Sequence, residues 1–216
     1  MGADLVGFAS ARSFVLAPKG HRPEEILPGA RSVIVMAVAI PAASFEKAPS
    51  REYSIAYLMA NASLNKMAFM VTKSLESQGF RAAAVPASPP YDVRRMLGDI
   101  SHRHAGMLSG MGVFGKNSLL LSPKYGPRIR LVSVVTDATL LPSKVLQVDL
   151  CGDCDRCIRA CPAKALKPGM VVDKKKCDNH HLRVGELLQL KDSEQVCGVC
   201  IRVCPVGKPK LVDRNQ

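Results

Sequence analysis

Residues 151–162 read CGDCDRCIRACP, four cysteines within eleven residues and then a proline. Near the other end, residues 197–205 read CGVCIRVCP, so the hexapeptide CIRACP at 157–162 returns as CIRVCP at 200–205. Cys177 lies between the two runs, which brings the total to eight cysteines, and none occurs in the first 150 residues. No other feature constrains the chain as strongly. Eight thiols confined to the last 66 residues require a small module built around what those thiols hold.

A structural zinc takes four ligands, usually as two separated Cys-x-x-Cys pairs. Here three cysteines come at two-residue gaps, a fourth follows after three residues, and proline closes the run. That is the bacterial signature for [4Fe–4S] clusters, whose fourth cysteine serves the other cluster of a pair. Cys151, Cys154 and Cys157 can wrap a tight loop around one cubane. Cys161 then points away on the short helix that begins there, and Pro162 turns the chain. The symmetric fourth ligand of the first cluster is Cys204. The second cluster takes Cys161, Cys177, Cys197 and Cys200. Cys177 precedes Cys197 by 20 residues, so a loop is expected where a minimal two-cluster protein has a tight pair.

No apolar run is long enough to span a membrane. The N-terminal MGADLVGFASARSF lacks the pattern of an export signal, which favours a cytoplasmic setting and metal ligation over disulfides. The formal charge is +12. Two oxidised clusters at roughly −2 each would leave about +8, a balance that suggests an acidic or polyanionic partner.

ARSVIVMAVAIP (30–41) reads as a strand buried on both faces. Residues 53–80 read as a helix, with Ile55, Leu58, Met59, Ala62, Phe69 and Met70 at helical spacing, the methionines as core filling, and Gly79 at its end. RAAAVP (81–86) is a short strand, and a second helix is expected from about Asp92 to Met111. Residues 118–138 read as a β-hairpin around SPKYGP. Together these give an α+β chain: an α/β domain over 1–145 and a ferredoxin-like two-cluster module over 146–216.

GMGVFG (110–115) matches the dinucleotide fingerprint G-x-G-x-x-G, but it follows a helix and opens a strand, the reverse of the required context. The longer stretch SHRHAGMLSGMGVFGKNSLLLSPKYGPRIRLVSVVTD (101–137), followed by the two-cluster module, resembles the epoxyqueuosine reductases and the related reductive dehalogenases. GARSVIVMAVAIP (29–41) and ADLVGFA (3–9) also look like early segments of that family.

The resemblance implies a nitroreductase-like α/β domain that binds cobalamin and receives electrons from the clusters. By position Gly110, Gly112, Gly115, Lys116, Asn117 and Ser118 would form the cobalamin loop, the glycines admitting backbone amides to a bulky ligand. The same glycines also suit a plain helix-to-strand turn. FMN is a further option for such a pocket. An acidic residue expected by resemblance is replaced at Pro86 or Ala87, and the C-terminal repeats that help hold tRNA are missing. tRNA is therefore not expected as a partner. His104, Tyr91 and Asp92 are the candidate proton donors. The leading expectation is an iron–sulfur oxidoreductase delivering electrons to a corrinoid or a small-molecule substrate. Its rival is a non-catalytic electron-transfer or activator protein that docks a corrinoid protein. Either would draw on a donor such as ferredoxin or flavodoxin.

Overall fold

The computed structural model describes residues 2–88, 97–190 and 197–208. Along the chain run β1 (Leu5–Ser10), α1 (Pro23–Ile26), β2 (Ser32–Ala39), α2 (Arg51–Ser77), β3 (Ala82–Val85), α3 (His102–Leu108), β4 (Val113–Phe114), β5 (Leu120–Leu121) and β6 (Ile129–Thr136). The cysteine-bearing part adds α4 (Arg156–Arg159), β7 (Leu166–Lys167), β8 (Val171–Val172), α5 (Lys174–Leu187) and α6 (Val199–Arg202).

Strands β1-β2-β6-β3 form one sheet in that order, every pair antiparallel. Side chains alternate across a strand. On one face Val33, Val35 and Ala37 of β2 join Leu131 and Val135 of β6, packed with Ala105 of α3 and Leu120 of β5. On the other, Ile34, Met36, Val132 and Val134 pack with Leu64 and Ala68 of α2. Both faces are covered, which is why β2 reads as an unbroken apolar run rather than an alternating one.

Helix α2 begins where Ser50 Oγ accepts from Tyr53 N at 3.2 Å. It ends where Gly79, at φ +85°, lets Phe80 N reach Leu75 O and Gly79 N reach Glu76 O. The buried stripe, however, is Tyr53, Tyr57, Ala60, Asn61, Leu64 and Ala68. Ile55, Met59, Phe69 and Met70 are each more than half exposed, so of the three methionines of residues 59–70 expected in the core only Met67 packs against it. The helix carries two apolar stripes. The one with Leu64 and Ala68 packs on the sheet.

Two other expectations are corrected. The second helix is only His102–Leu108 among the described residues. Its start is set by Ser101 Oγ, which accepts from His104 N, and residues 97–101 are not helical. The hairpin of residues 118–138 does not form. β6 pairs with β2 along its whole length, and β3 takes Ser133–Thr136 of its other edge. β5 pairs with β4 instead, and Ser122 and Gly126 close the intervening turn with mutual backbone bonds of 3.0 and 2.7 Å.

The segment after β6 runs along the free edge of β1, where Ser143 N donates to Phe8 O at 2.9 Å and Phe8 N to Ser143 Oγ at 3.0 Å. The cysteine-bearing part is locked back onto the sheet domain at one close backbone crossing. A Cβ on Gly126 would lie 1.9 Å from Val206 O, and one on Gly207 2.0 Å from Gly126 N. Arg128 bridges the crossing, donating to Ile40 O at 2.9 Å and Gly207 O at 2.8 Å. Among the described residues no helix is long and apolar enough to cross a membrane.

Candidate iron–sulfur centre

The two hexapeptides form α4 and α6, single turns that pack on each other. Each presents one cysteine at its start and another just beyond its end. Cys151, Cys154, Cys157 and Cys204 line one cavity, along with Lys116, Asn117, Leu121 and Arg156. Burial raises the Cys157 thiol, and the next contributions come from Cys151 and Cys204. Burial likewise raises Cys204, which then feels Cys151 and Cys154.

The other thiols form a second neighbourhood. Burial pushes Cys177 up to about 11, and Cys197 and then Cys161 raise it further. Cys200 is raised by burial, then by Cys197 and Cys177 ahead of Cys157 and Cys161. Cys197, also raised by burial, senses Cys161. Cys204 of the second run thus lines the cavity of Cys151, Cys154 and Cys157, and Cys161 of the first run influences Cys177, Cys197 and Cys200. All eight thiols are free.

The donor set fits cubanes. A zinc at about 2.3 Å from each sulfur would draw four sulfurs to within about 4 Å of one another. Among the described residues no group of His, Cys, Asp or Glu converges tightly enough for a single ion. Burial holds the thiols of Cys157, Cys177, Cys197, Cys200 and Cys204 above their ordinary value, so loading the site must release protons.

Local hydrogen bonds shape the first tetrad. Asp149 Oδ1 accepts from Cys151 N at 2.9 Å and Gly152 N at 3.0 Å, and these bonds hold its carboxyl below the usual range. Lys116 Nζ donates to Gly152 O at 2.6 Å. Beside the second tetrad, Ala165 N donates to Cys161 Sγ at 3.3 Å. The stretch between Cys177 and Cys197, expected as a loop, contains helix α5, capped by Asp173 Oδ1 on Lys176 N at 3.1 Å.

The 110–118 segment is drawn into the protein's own packing. A Cβ on Gly112 would lie 2.2 Å from Leu121 O, one on Gly110 2.3 Å from Lys144 O, and one on Gly115 2.6 Å from Leu121 Cδ1. Asn117 Oδ1 accepts from Leu119 N at 3.1 Å, and Ser118 Oγ donates to Met170 O. Lys116 and Asn117 face the first thiol cavity.

Of the candidate proton donors, His104 is exposed. Its ring lies 4.7 Å from Phe114, and its Nδ1 is 2.7 Å from Ser101 Oγ. Burial and then Arg103 lower its pKa. Tyr91 and Asp92 lie outside the described residues. Sequence reasoning passed over two arginines. Arg103 donates to Ser118 O, tying α3 to the glycine segment. Arg130 projects from β6 over the Tyr57 ring at 4.1 Å and donates to Asn61 Oδ1 at 2.9 Å and Ala87 O at 3.1 Å. The signal was available: an arginine inside the apolar run IRLVSVVT needs partners.

Comparison with known proteins agrees with this geometry. A family model described as the 4Fe-4S double cluster binding domain matches residues 150–207. An epoxyqueuosine reductase of Bacillus cereus is 28% identical over 238 residues, covering 96% of this chain and 62% of the relative. The chain therefore spans less than two thirds of that relative. Among solved structures, an epoxyqueuosine reductase with an epoxyqueuosine-modified tRNA stem loop superposes with a TM-score of 0.69 at 21% identity, covering 97% of this chain and 63% of the other. A reductive dehalogenase, whose structure suggests a mechanism for B12-dependent dehalogenation, gives 0.73 at 22%, covering 98% and 30%. The chain thus resembles the epoxyqueuosine reductases over nearly its whole length, shares their fold and that of the reductive dehalogenases, and carries a double [4Fe–4S] cluster binding domain at residues 150–207.

Proposed function

We propose that the chain is an iron–sulfur oxidoreductase that passes electrons through two [4Fe–4S] clusters to a corrinoid held by a sheet domain of residues 1–145. The observation that carries this reading is the pair of thiol tetrads, the first of which opens onto Lys116 and Asn117 of that domain. Cys151, Cys154, Cys157 and Cys204 would hold one cluster, and Cys161, Cys177, Cys197 and Cys200 the other. When bound, such clusters supply one-electron capacity. Asp149 and Lys116 fix the Cys151–Cys154 loop from opposite sides, by its amides and by a carbonyl. His104 is the candidate proton donor within the described residues. The corrinoid comes from the likeness to the B12-dependent dehalogenase fold. FMN has no comparable support. Electrons would come from a ferredoxin or flavodoxin, in the cytoplasm.

One observation favours a second reading, an electron-transfer protein that binds no corrinoid. The glycines of the 110–115 turn are pressed against Leu121 and Lys144, so close packing inside the chain already explains why they are glycine.

Anaerobic reconstitution with iron, sulfide and hydroxocobalamin separates the two. About eight iron and eight sulfide per chain are expected, with a saturable change in the corrinoid spectrum. Zinc without sulfide would overturn the clusters. Clusters without corrinoid binding would give the second reading the lead. tRNA is bound by the relative's structure, and Pro86 and Ala87 offer no acid at the position where resemblance places one. We therefore expect no reduction of an epoxyqueuosine-containing stem loop. Turnover of that substrate would move the function to RNA modification.

A further inference from the structure

The hexapeptide repeat places an arginine at its third position twice, Arg159 in α4 and Arg202 in α6. Because the two turns pack together, both arginines line one shallow surface groove, with Arg156, Ala160, Val203 and Lys208. All four cations are exposed, and no carboxylate is in the lining. Asp155 meets Arg159 at 3.0 Å from one side, but both side chains are open to water and such a pair is weak. Ala160 and Val203 immediately precede Cys161 and Cys204, the cysteines exchanged between the tetrads. The groove is thus one residue along the chain from each exchanged cysteine, and Arg156 lines both the groove and the first thiol cavity.

From this we propose that the groove is the docking surface for a small acidic one-electron carrier protein, and the place where electrons enter the chain. The inference rests on the two-cluster reading above. Four cations on a shallow face attract an acidic patch and speed encounter. Because Arg156 is shared with the first thiol cavity and Ala160 and Val203 adjoin Cys161 and Cys204, a docked carrier would sit beside cluster ligands. One electron leaves the reduced carrier, which is oxidised by one unit, and one cluster is reduced by one. No bond is made or broken, and no proton has to move. A nucleic acid is the less suitable occupant, since the lining contains no aromatic side chain on which a base could stack.

The test uses the cluster-replete full chain and a reduced acidic ferredoxin. Iron and sulfide are assayed first, so that failure of the cluster reading is seen before any mixing. Stopped-flow reduction should slow with salt in the wild type. In Arg159→Glu/Arg202→Glu it should be slower by about tenfold or more at low ionic strength and lose its salt dependence. Calorimetric affinity for the oxidised carrier should fall in parallel. Methyl viologen radical, a small cation, should reduce both proteins at comparable rates. If the charge reversal disturbs cluster content, Arg159→Gln/Arg202→Gln replaces it, with a smaller loss expected. Unchanged ferredoxin rate and affinity in a cluster-replete variant would overturn the proposal. So would a variant that loses only the binding of a tRNA stem loop, which would make the groove a nucleic-acid surface.

Discussion

His102 shows how one side chain ties the helix–sheet junction together. Its Nε2 lies 2.8 Å from Pro86 O and its Nδ1 2.8 Å from Ser133 Oγ. A carbonyl only accepts, so Nε2 carries the proton and Nδ1 accepts from the serine hydroxyl. Desolvation, helped by the Arg130 charge and opposed by the Pro86 carbonyl, pushes the pKa down to about 4. The folded value lies below the unfolded one, so the unfolded chain binds more protons between them. The stabilisation is complete above the unfolded value of about 6.5 and is lost as pH falls toward about 4. On going from about pH 7.5 to about pH 5.5, hydrogen-exchange protection of the β6 amides in the cluster-replete protein should drop by about 1 kcal/mol. His102→Gln should flatten that dependence. A wild type whose β6 protection is flat over this range would show that the ring is not shielded from water.

At the scale of elements, α4 and α6 make one strong prediction. Each turn carries a cysteine for its own tetrad and, just past its end, one for the other. Cys161→Ser should damage the cluster assigned to Cys177, Cys197 and Cys200 and spare the other, and Cys204→Ser should do the reverse. Iron should fall toward about four per chain in each, and the surviving cluster's paramagnetic signal should differ between the two variants. The same surviving signal in both would refute the crossing. Helix α2 teaches a different lesson. Its span and both caps follow from local sequence, but its buried face is the one that fits the sheet.

At the scale of the whole molecule, the two parts are held by different means. The sheet domain has a core on each face of β2 and β6. The cysteine-bearing part has strands of two residues, two helices of four and the 14-residue α5, and Cys197 and Cys204 are themselves among its buried residues. Ligand bonds must do there what apolar burial does in the sheet. Stripping iron with an anaerobic chelator should leave the sheet's far-ultraviolet signal largely intact and open the cysteine-bearing part to proteolysis. Iron and sulfide should restore protection. A stripped protein that resists the protease as well as the loaded one would show that packing alone holds that part. The crossing of Gly126 with Val206 and Gly207 should keep the stripped segment tethered to the sheet near its end.

The local spacing of the cysteines, the doubly buried strand β2 and the capped helix α2 were legible because each is set by neighbours along the chain: loop reach, an unbroken run of β-branched and apolar residues, and end capping. Other features depended on competition between distant parts. β6 took β2 and β3 as partners and β5 took β4, so the expected hairpin did not form. α2 turned the stripe with Leu64 and Ala68 to the sheet and left Ile55, Met59, Phe69 and Met70 in water. Lys116, read as a ligand contact, reaches across the chain to Gly152. The repeated hexapeptide announced two equivalent turns. Only their packing brought Arg159 and Arg202 to one groove, because a repeat specifies local shape and leaves the position of each copy to long-range contacts.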